Sequence, residues 1–376
     1  MELRERVDFV IGVDSHRDRH AVALCDRHGA RLHAVGVAAD PFGYRDAFEA
    51  AVEHCPGRRI WAVEGTGSYG AGLAAYLEGQ GEWVVEIDHP TRRRAGGKSD
   101  ALDAVRAARE ALARDRLTVP RARGERAAIR SFLVCRETGV VARTKAIQLL
   151  RALLLTAPEP LRGQLRGLNT PDLLAACSRL RGLGSQSLEH RATAVALRST
   201  ARRALALEAE ALEMEALLAA LVGQVAPQLL DEMGVGVVTA AQLVVSWSHQ
   251  GRVRSEAAFA SLAGVSPLPA SSGDVVRHRL NRNGDRKLNR AMHTIVITRM
   301  AHDPETRAYV AKRTADGKSR GEIRRCLKRF VARRMYALLE AGPGGLERSE
   351  RGPEGVGSLR PVGEILTRLK EVPAGA

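Results

Sequence analysis

The sequence predicts a mixed α/β domain at its N-terminus and a mainly helical remainder, on three observations. Apolar, β-branched-rich runs at residues 7–13, 21–25 and 32–37 are followed by alternating strand-like and helix-like stretches up to residue 113. Two long Ala/Leu/Arg-rich segments, 124–156 and 187–223, then run on with few turn residues. Beyond residue 229, short apolar stretches alternate with glycine-containing turns and a dense basic run. The expected division is an α/β domain over 1–119, a helical linker with a coiled coil over 120–228, a mainly helical C-terminal domain over 229–340, and a flexible tail over 341–376 rich in Gly, Pro and charge.

The first strand ends near Asp14. The turn Asp26-Arg27-His28-Gly29 separates the second strand from the third. Residues 41–53 read as a helix, with Pro41 early and Ala47, Phe48, Ala51 and Val52 as its apolar stripe. A strand over 59–63 ends at Glu64, before Gly65-Thr66-Gly67-Ser68. A helix over 69–77 and a strand over 83–87 follow, the strand stopping at Asp88-His89-Pro90. The basic connection Arg92-Arg93-Arg94-Ala95-Gly96-Gly97-Lys98 leads into a helix that opens Ser99-Asp100-Ala101-Leu102-Asp103-Ala104. A three-strand meander followed by strand–helix alternation implies a mixed sheet with helices packed on it. The order resembles that of a ribonuclease-H-like (RuvC-like) domain.

In the middle, Leu197, Ala204, Leu207, Ala211, Met214, Leu218 and Leu221 follow a three–four spacing from 204 onward, which suits a short coiled-coil seam. Two helices of an ordinary bundle fit the same spacing. Residues 165–187 hold Gly, Asn, Pro and Ser and read as a connection. Further on, the glycines of residues 231–241 precede an apolar helix, where a plain tight turn is the better reading and a phosphate-facing helix start the alternative. Helices are expected over 291–301 and 323–339.

The formal net charge of +15 points to a polyanionic partner, nucleic acid first; a basic protein of a GC-rich genome is the plain alternative. The five cysteines are far apart and form no CxxC pair, which argues against a zinc ribbon and a disulfide framework and fits a reducing, cytoplasmic compartment. No signal-peptide core or bilayer-length apolar stretch is present in the sequence, so no membrane partner is expected.

Four carboxylates stand at element ends: Asp14, Glu64, Asp100 and Asp103. The last two share one helix face, one turn apart, and repel unless a cation lies between them. Carboxylate oxygens suit Mg²⁺, and two ions about 3.5–4 Å apart can activate an attacking oxygen and stabilise a leaving one. Each acid alone reads more readily as a cap or turn residue, and it is the combination that points to a metal site. Ser271-Ser272-Gly273 stands near the basic run, where a serine hydroxyl can attack a phosphodiester. Taken alone, it is a loop. Arg277, Arg279, Arg282, Arg286, Lys287 and Arg290, together with Arg92, Arg93, Arg94 and Lys98, are the expected phosphate contacts, and a solvated basic face is the alternative. With aromatics only 4% of the chain, a stacking platform for single strands is not expected.

Asp14 in Ile11-Gly12-Val13-Asp14, Glu64 in Val63-Glu64-Gly65-Thr66-Gly67, and Lys98-Ser99-Asp100-Ala101-Leu102-Asp103-Ala104 together resemble the IS one-ten family of insertion-sequence transposases. Residues 234–241, 262–267, 271–273 and 280–288 resemble that family's C-terminal transposase domain. The resemblance implies a DNA recombinase with a RuvC-like DEDD domain whose four acids hold divalent metal: two Mg²⁺ ions, with Mn²⁺ as the alternative. It implies a serine nucleophile, by position Ser272 with Ser271 as the neighbour to distinguish. It also implies donor and target DNA selected by a structured guide RNA, a homo-oligomer (dimer or tetramer), and a nucleoid-associated place in a bacterial cytoplasm. Ser99 stands where the family more often has Thr. A RuvC-like nuclease that only hydrolyses DNA, or a non-catalytic nucleic-acid-binding scaffold, are the competing readings.

Overall fold

The computed structural model describes residues 3–87, 99–181, 187–269, 278–279, 281 and 284–342. The chain divides into two compact units, Met1–Ala122 and Arg123–Ala376.

The first unit runs α1 (Leu3–Arg6), β1 (Phe9–Ser15), β2 (Arg19–Asp26), β3 (Arg31–Ala38), α2 (Pro41–His54), β4 (Arg59–Glu64), α3 (Ala71–Gly79), β5 (Trp83–Ile87) and α4 (Asp100–Ala113). Its five strands lie in the order β3-β2-β1-β4-β5. The meander pairs antiparallel, whereas β4 and β5 run parallel to β1. This mixed sheet is compatible with a ribonuclease-H-like DEDD domain. Side-chain alternation divides the sheet between two cores. Val10, Ile60, Ala62 and Val85 face α4 through Ala104, Ala107, Ala108 and Ala111. Ile11, Val13, Trp61 and Val63 face α2 and α3 through Ala47, Ala51, Leu73 and Leu77.

On the second face, Glu82 accepts from Arg59 Nε at 2.9 Å and from Trp61 Nε1 at 2.8 Å. The carboxylate and guanidinium are both largely withdrawn from water, so each depends on the other. Glu82→Ala strands the Arg59 charge and a buried indole N–H, and is expected to cost about 3 kcal/mol. Urea unfolding of the full chain checks this, with Glu82→Gln, which keeps an acceptor for Trp61, losing less.

The second unit begins with α5 (Glu125–Leu155), α6 (Glu159–Leu165), α7 (Thr170–Ser178) and α8 (Leu188–Val225). Residues 165–187 are therefore not merely a connection. Asn169 caps α7 by accepting from Asp172 N–H, and Pro171 sits in its first turn. The residues that read as turn formers start a helix instead. Helices α5 and α8 pack antiparallel, since Arg136 pairs with Glu215 and Arg143, seven residues on, pairs with Glu208, seven residues back. The face offered as a coiled-coil seam is covered within the chain. Leu197 and Ala204 pack with Ala146, Leu150 and Leu154, while Leu218 and Leu221 pack with Ile129.

A 3₁₀ turn (Pro227–Leu229) leads to α9 (Val237–Trp247), α10 (Glu256–Leu262), the strand pair β6 (Leu268–Pro269) and β7 (His278–Arg279), α11 (Arg286–His302), α12 (Pro304–Ala315) and α13 (Arg320–Ala341). Gly236 is the N-cap of α9, without a side-chain cap. One apolar core joins the ends of α5 and α8 to α9, α10, α11 and α13, so it runs across residue 228. Helix α11 starts five residues before the expected 291, because Asp285 accepts from the N–H groups of Lys287 and Leu288. The segment 341–376 lies, apart from residues 341 and 342, outside the described residues.

Candidate active site

The period of a strand brings the site together. Val10, Gly12 and Asp14 point to the α4 face of β1, as do Ile60, Ala62 and Glu64 on β4. The parallel register pairs Gly12 with Ala62 and Val13 with Val63, so Asp14 and Glu64 stand at the same end of neighbouring strands. Ser15 Oγ donates to the Glu64 carbonyl at 2.8 Å and ties those strand ends together. Gly65 then turns the chain at φ 69°, the left-handed region that glycine enters without penalty.

Helix α4 supplies the other two acids. Ser99 caps it by accepting from Leu102 N–H, which leaves Asp100 and Asp103 in its first turn, near the positive end of the helix dipole. Asp103 lies on the same stripe as Ala104, Ala107 and Ala108, which faces the sheet. It is buried and ion-paired with Arg106, one turn on, whereas Asp100 is exposed.

A residue passed over in the sequence joins this group. His16 Nε2 lies 3.2 Å from Asp14 Oδ2 and 3.6 Å from Asp100 Oδ1. One ligand atom each from Asp14, His16 and Asp100 lie within 4.8 Å of one another. Glu64 and Asp103 are not part of that triplet, yet their charge reaches it. Burial holds the Asp14 carboxyl above the usual carboxylate range, His16 opposes the shift, and Glu64 and Asp103 add to it. A buried carboxylate among like charges is what a cation relieves, so the donor set fits a divalent ion by charge. The carboxylate oxygens suit Mg²⁺ and Mn²⁺ alike. The only sequence signal for His16 was its position two residues after Asp14.

The buried thiols offer no competing metal or nucleophilic centre. All five cysteines are free, and burial pushes those of Cys25, Cys55 and Cys177 up to about 11.

The expected phosphate contacts fare differently from one another. Ser271, Ser272, Arg92, Arg93, Arg94, Lys98, Arg277 and Arg282, with the side chain of Arg279, lie outside the described residues. Arg286 is exposed. Lys287 and Arg290 are exposed too, but both are tied to Glu137 on α5, at 2.5 and 2.7 Å. The two cations hold the Glu137 carboxyl below its usual range. Any phosphate must compete with it. Glu137→Gln is therefore expected to tighten DNA binding two- to threefold at low salt while costing at most about 0.5 kcal/mol of stability. Filter binding across a salt series, together with urea unfolding, checks both halves.

Comparison with known proteins bears directly on this geometry. Residues 11–157, which contain all four acids and His16, match the family described as "Transposase" for the DEDD domain of IS110 elements. Residues 226–311 match the "Transposase IS116/IS110/IS902 family". The chain belongs to the IS110 family of DNA transposases. The "Insertion element IS110 uncharacterized 43.6 kDa protein" of Streptomyces coelicolor is 34% identical over 117 residues, which is 31% of this chain and 29% of that protein. The match therefore spans less than a third of that relative's length. The "Insertion element IS900 uncharacterized 42 kDa protein" of Mycobacterium paratuberculosis is 24% identical over 377 aligned positions, covering 87% of this chain and 94% of the relative. A DEDD transposase domain implies the use of a divalent metal, in keeping with the acidic cluster of this transposase. Among the described residues no helix is long and apolar enough to cross a membrane.

Proposed function

We propose that this transposase cuts and rejoins DNA strands to move an insertion sequence, with Asp14, Glu64, Asp100 and Asp103 as its metal-holding acids and Ser272 as its nucleophile. The observation that carries the reading is the charged cluster at the α4 end of the sheet. Asp14 is buried there with His16 and Asp100 in reach, and with Glu64 and Asp103 near enough to perturb it. Two Mg²⁺ ions, or Mn²⁺, bound there would supply charge stabilisation for the oxygens that attack and leave phosphorus. Asp14 and Asp103, held on packed elements, keep the carboxylate geometry fixed, and His16 orients Asp14. The Ser272 hydroxyl attacks a phosphodiester, giving a protein–phosphate ester and freeing a DNA hydroxyl that can later reverse the bond.

The net charge of +15 supports donor and target DNA as substrates and, with the family likeness, a structured guide RNA from the element. A homo-oligomer, dimer or tetramer, is supported by the exposed Leu205 and Leu212, seven residues apart on α8, since the inner seam is already filled by α5. Such a protein works at the nucleoid in the bacterial cytoplasm.

The testing experiment is a cleavage assay on labelled element-end DNA with guide RNA. Wild type should yield a covalent protein–DNA adduct on a denaturing gel. Ser272→Ala should yield none, with Ser271→Ala retaining it. Cleavage that persists in Ser272→Ala without an adduct would replace the recombinase with a hydrolytic nuclease.

A further inference from the structure

The C-terminal helices border a half-open cleft of about 950 Å³, lined by residues to which the proposed chemistry gives no role. It is bounded by the turn at 264–267, α11, α12 and the first half of α13. Two of its arginines are paired, Arg313 with Asp316 and Arg329 with Glu256. Several arginines elsewhere in the unit find acids: Arg136 with Glu215, Arg299 and Arg334 with Glu232, Arg333 with Glu256. In the cavity, Arg324 and Lys328 stand one turn apart on α13 with no carboxylate partner among the described residues. Two cations at that spacing repel.

Lys328 is half-buried, and its Nζ donates to Asn289 Oδ1 at 2.9 Å. Asn289 is itself fixed, donating to the Ala263 carbonyl at 2.7 Å. The ammonium is thus aimed by a neutral group and not neutralised by one. Burial and the Arg324 charge both press on Lys328, and burial and both cations press on His293 across the cavity. The acid of the lining, Glu322, is taken up in the capping box of α13 with Ser319, and its charge answers Lys318 and Arg325. An anion placed beside Arg324 and Lys328 would supply the missing charge.

The same cavity has an aromatic wall. Tyr309 and Phe330 meet edge to face at 5.9 Å between centroids, and Phe330 is 49% exposed. A cationic floor beside an exposed ring matches a phosphate joined to a planar base. The volume lies within the range of about 300–1,000 Å³ usual for small-ligand pockets.

We infer that this cavity receives one unstacked nucleotide of a nucleic-acid strand, its phosphate on Arg324 and Lys328 and its base against Phe330. The inference rests on the reading of the chain as a nucleic-acid enzyme and adds a positioning site to it. DNA and RNA offer the same two groups, and the test separates them.

Single-stranded ten-nucleotide DNA and RNA of one sequence, each carrying a central 2-aminopurine, are titrated against the full chain. Stacking on Phe330 is expected to change the fluorophore's emission, and the strand giving the larger change names the source. Phe330→Ala is expected to abolish that change. Lys328→Gln, which keeps a donor for Asn289, and Arg324→Gln are each expected to weaken binding on the order of tenfold. Emission change and affinity equal to wild type in all three variants would overturn the inference and leave the transposase reading standing. No binding of either strand, nor of duplex DNA, by wild type would overturn both.

Discussion

Asp14→Asn is expected to remove all detectable strand cleavage and transfer while leaving nucleic-acid binding within about twofold of wild type. Asp14 is the member of the cluster with the most to lose. It is buried, it touches His16, and it is the acid whose proton affinity registers both Glu64 and Asp103. An amide has the same shape and keeps an oxygen toward His16, so the fold persists, but it carries no charge to share with a cation. The variant also separates catalysis from stability. Without divalent ion, the wild-type chain holds a desolvated carboxylate beside like charges, and the amide removes that repulsion. Asp14→Asn is therefore expected to melt a few degrees higher than wild type in chelator. The order should reverse in divalent metal, because a ligand at one hundred times its Kd adds about 2.7 kcal/mol to the form that binds it. Scanning calorimetry with and without Mn²⁺ reads both arms. Full activity in the variant, or a metal response equal to wild type, would remove the acid cluster from the mechanism.

How far this site was legible in the sequence follows from what each residue depends on. Asp14 and Glu64 were legible because a strand ends audibly: an apolar run stops, and a carboxylate precedes a turn. Asp100 and Asp103 were legible from their spacing on a helix. That they belong together required the parallel register of β1 with β4, which no local pattern encodes. His16 was not legible at all, since a histidine two residues past a strand-end acid is an ordinary loop residue until α4 is laid beside it. The long-range ion pairs tell the same story. Lys287 and Arg290 read as phosphate contacts because their partner, Glu137, is some 150 residues away. Helix α12 went unread for a different reason: it buries no residue, so it has no apolar stripe to give it away.

Gly12→Ala is expected to be as damaging as loss of a catalytic acid, though it removes nothing chemical. A Cβ at position 12 would sit 1.9 Å from the Ala104 carbonyl oxygen and 2.7 Å from the Ala108 nitrogen. Both are helix backbone, which cannot rotate aside as a side-chain tip can. The alanines of α4 and the bare Cα of Gly12 let helix and strand approach closely, and that approach sets the Asp103 end of α4 over Asp14. One methyl group must therefore push the whole helix off the sheet. Overpacking of a core by a methylene costs typically about 1–3 kcal/mol, and a rigid backbone contact belongs at or beyond the top of that range. Urea unfolding should show a loss of about 3 kcal/mol or more in the α/β unit. The surviving folded fraction should have lost its metal response, because a helix moved by even about 1 Å separates Asp100 from Asp14 and His16. The comparison that isolates the cause is Gly79→Ala, where the added Cβ meets nothing within 4 Å. Gly79 closes α3, so that exchange is expected to leave stability close to wild type. If Gly12→Ala instead unfolded no more easily than Gly79→Ala, the close packing of α4 on β1 would not be what assembles the acids.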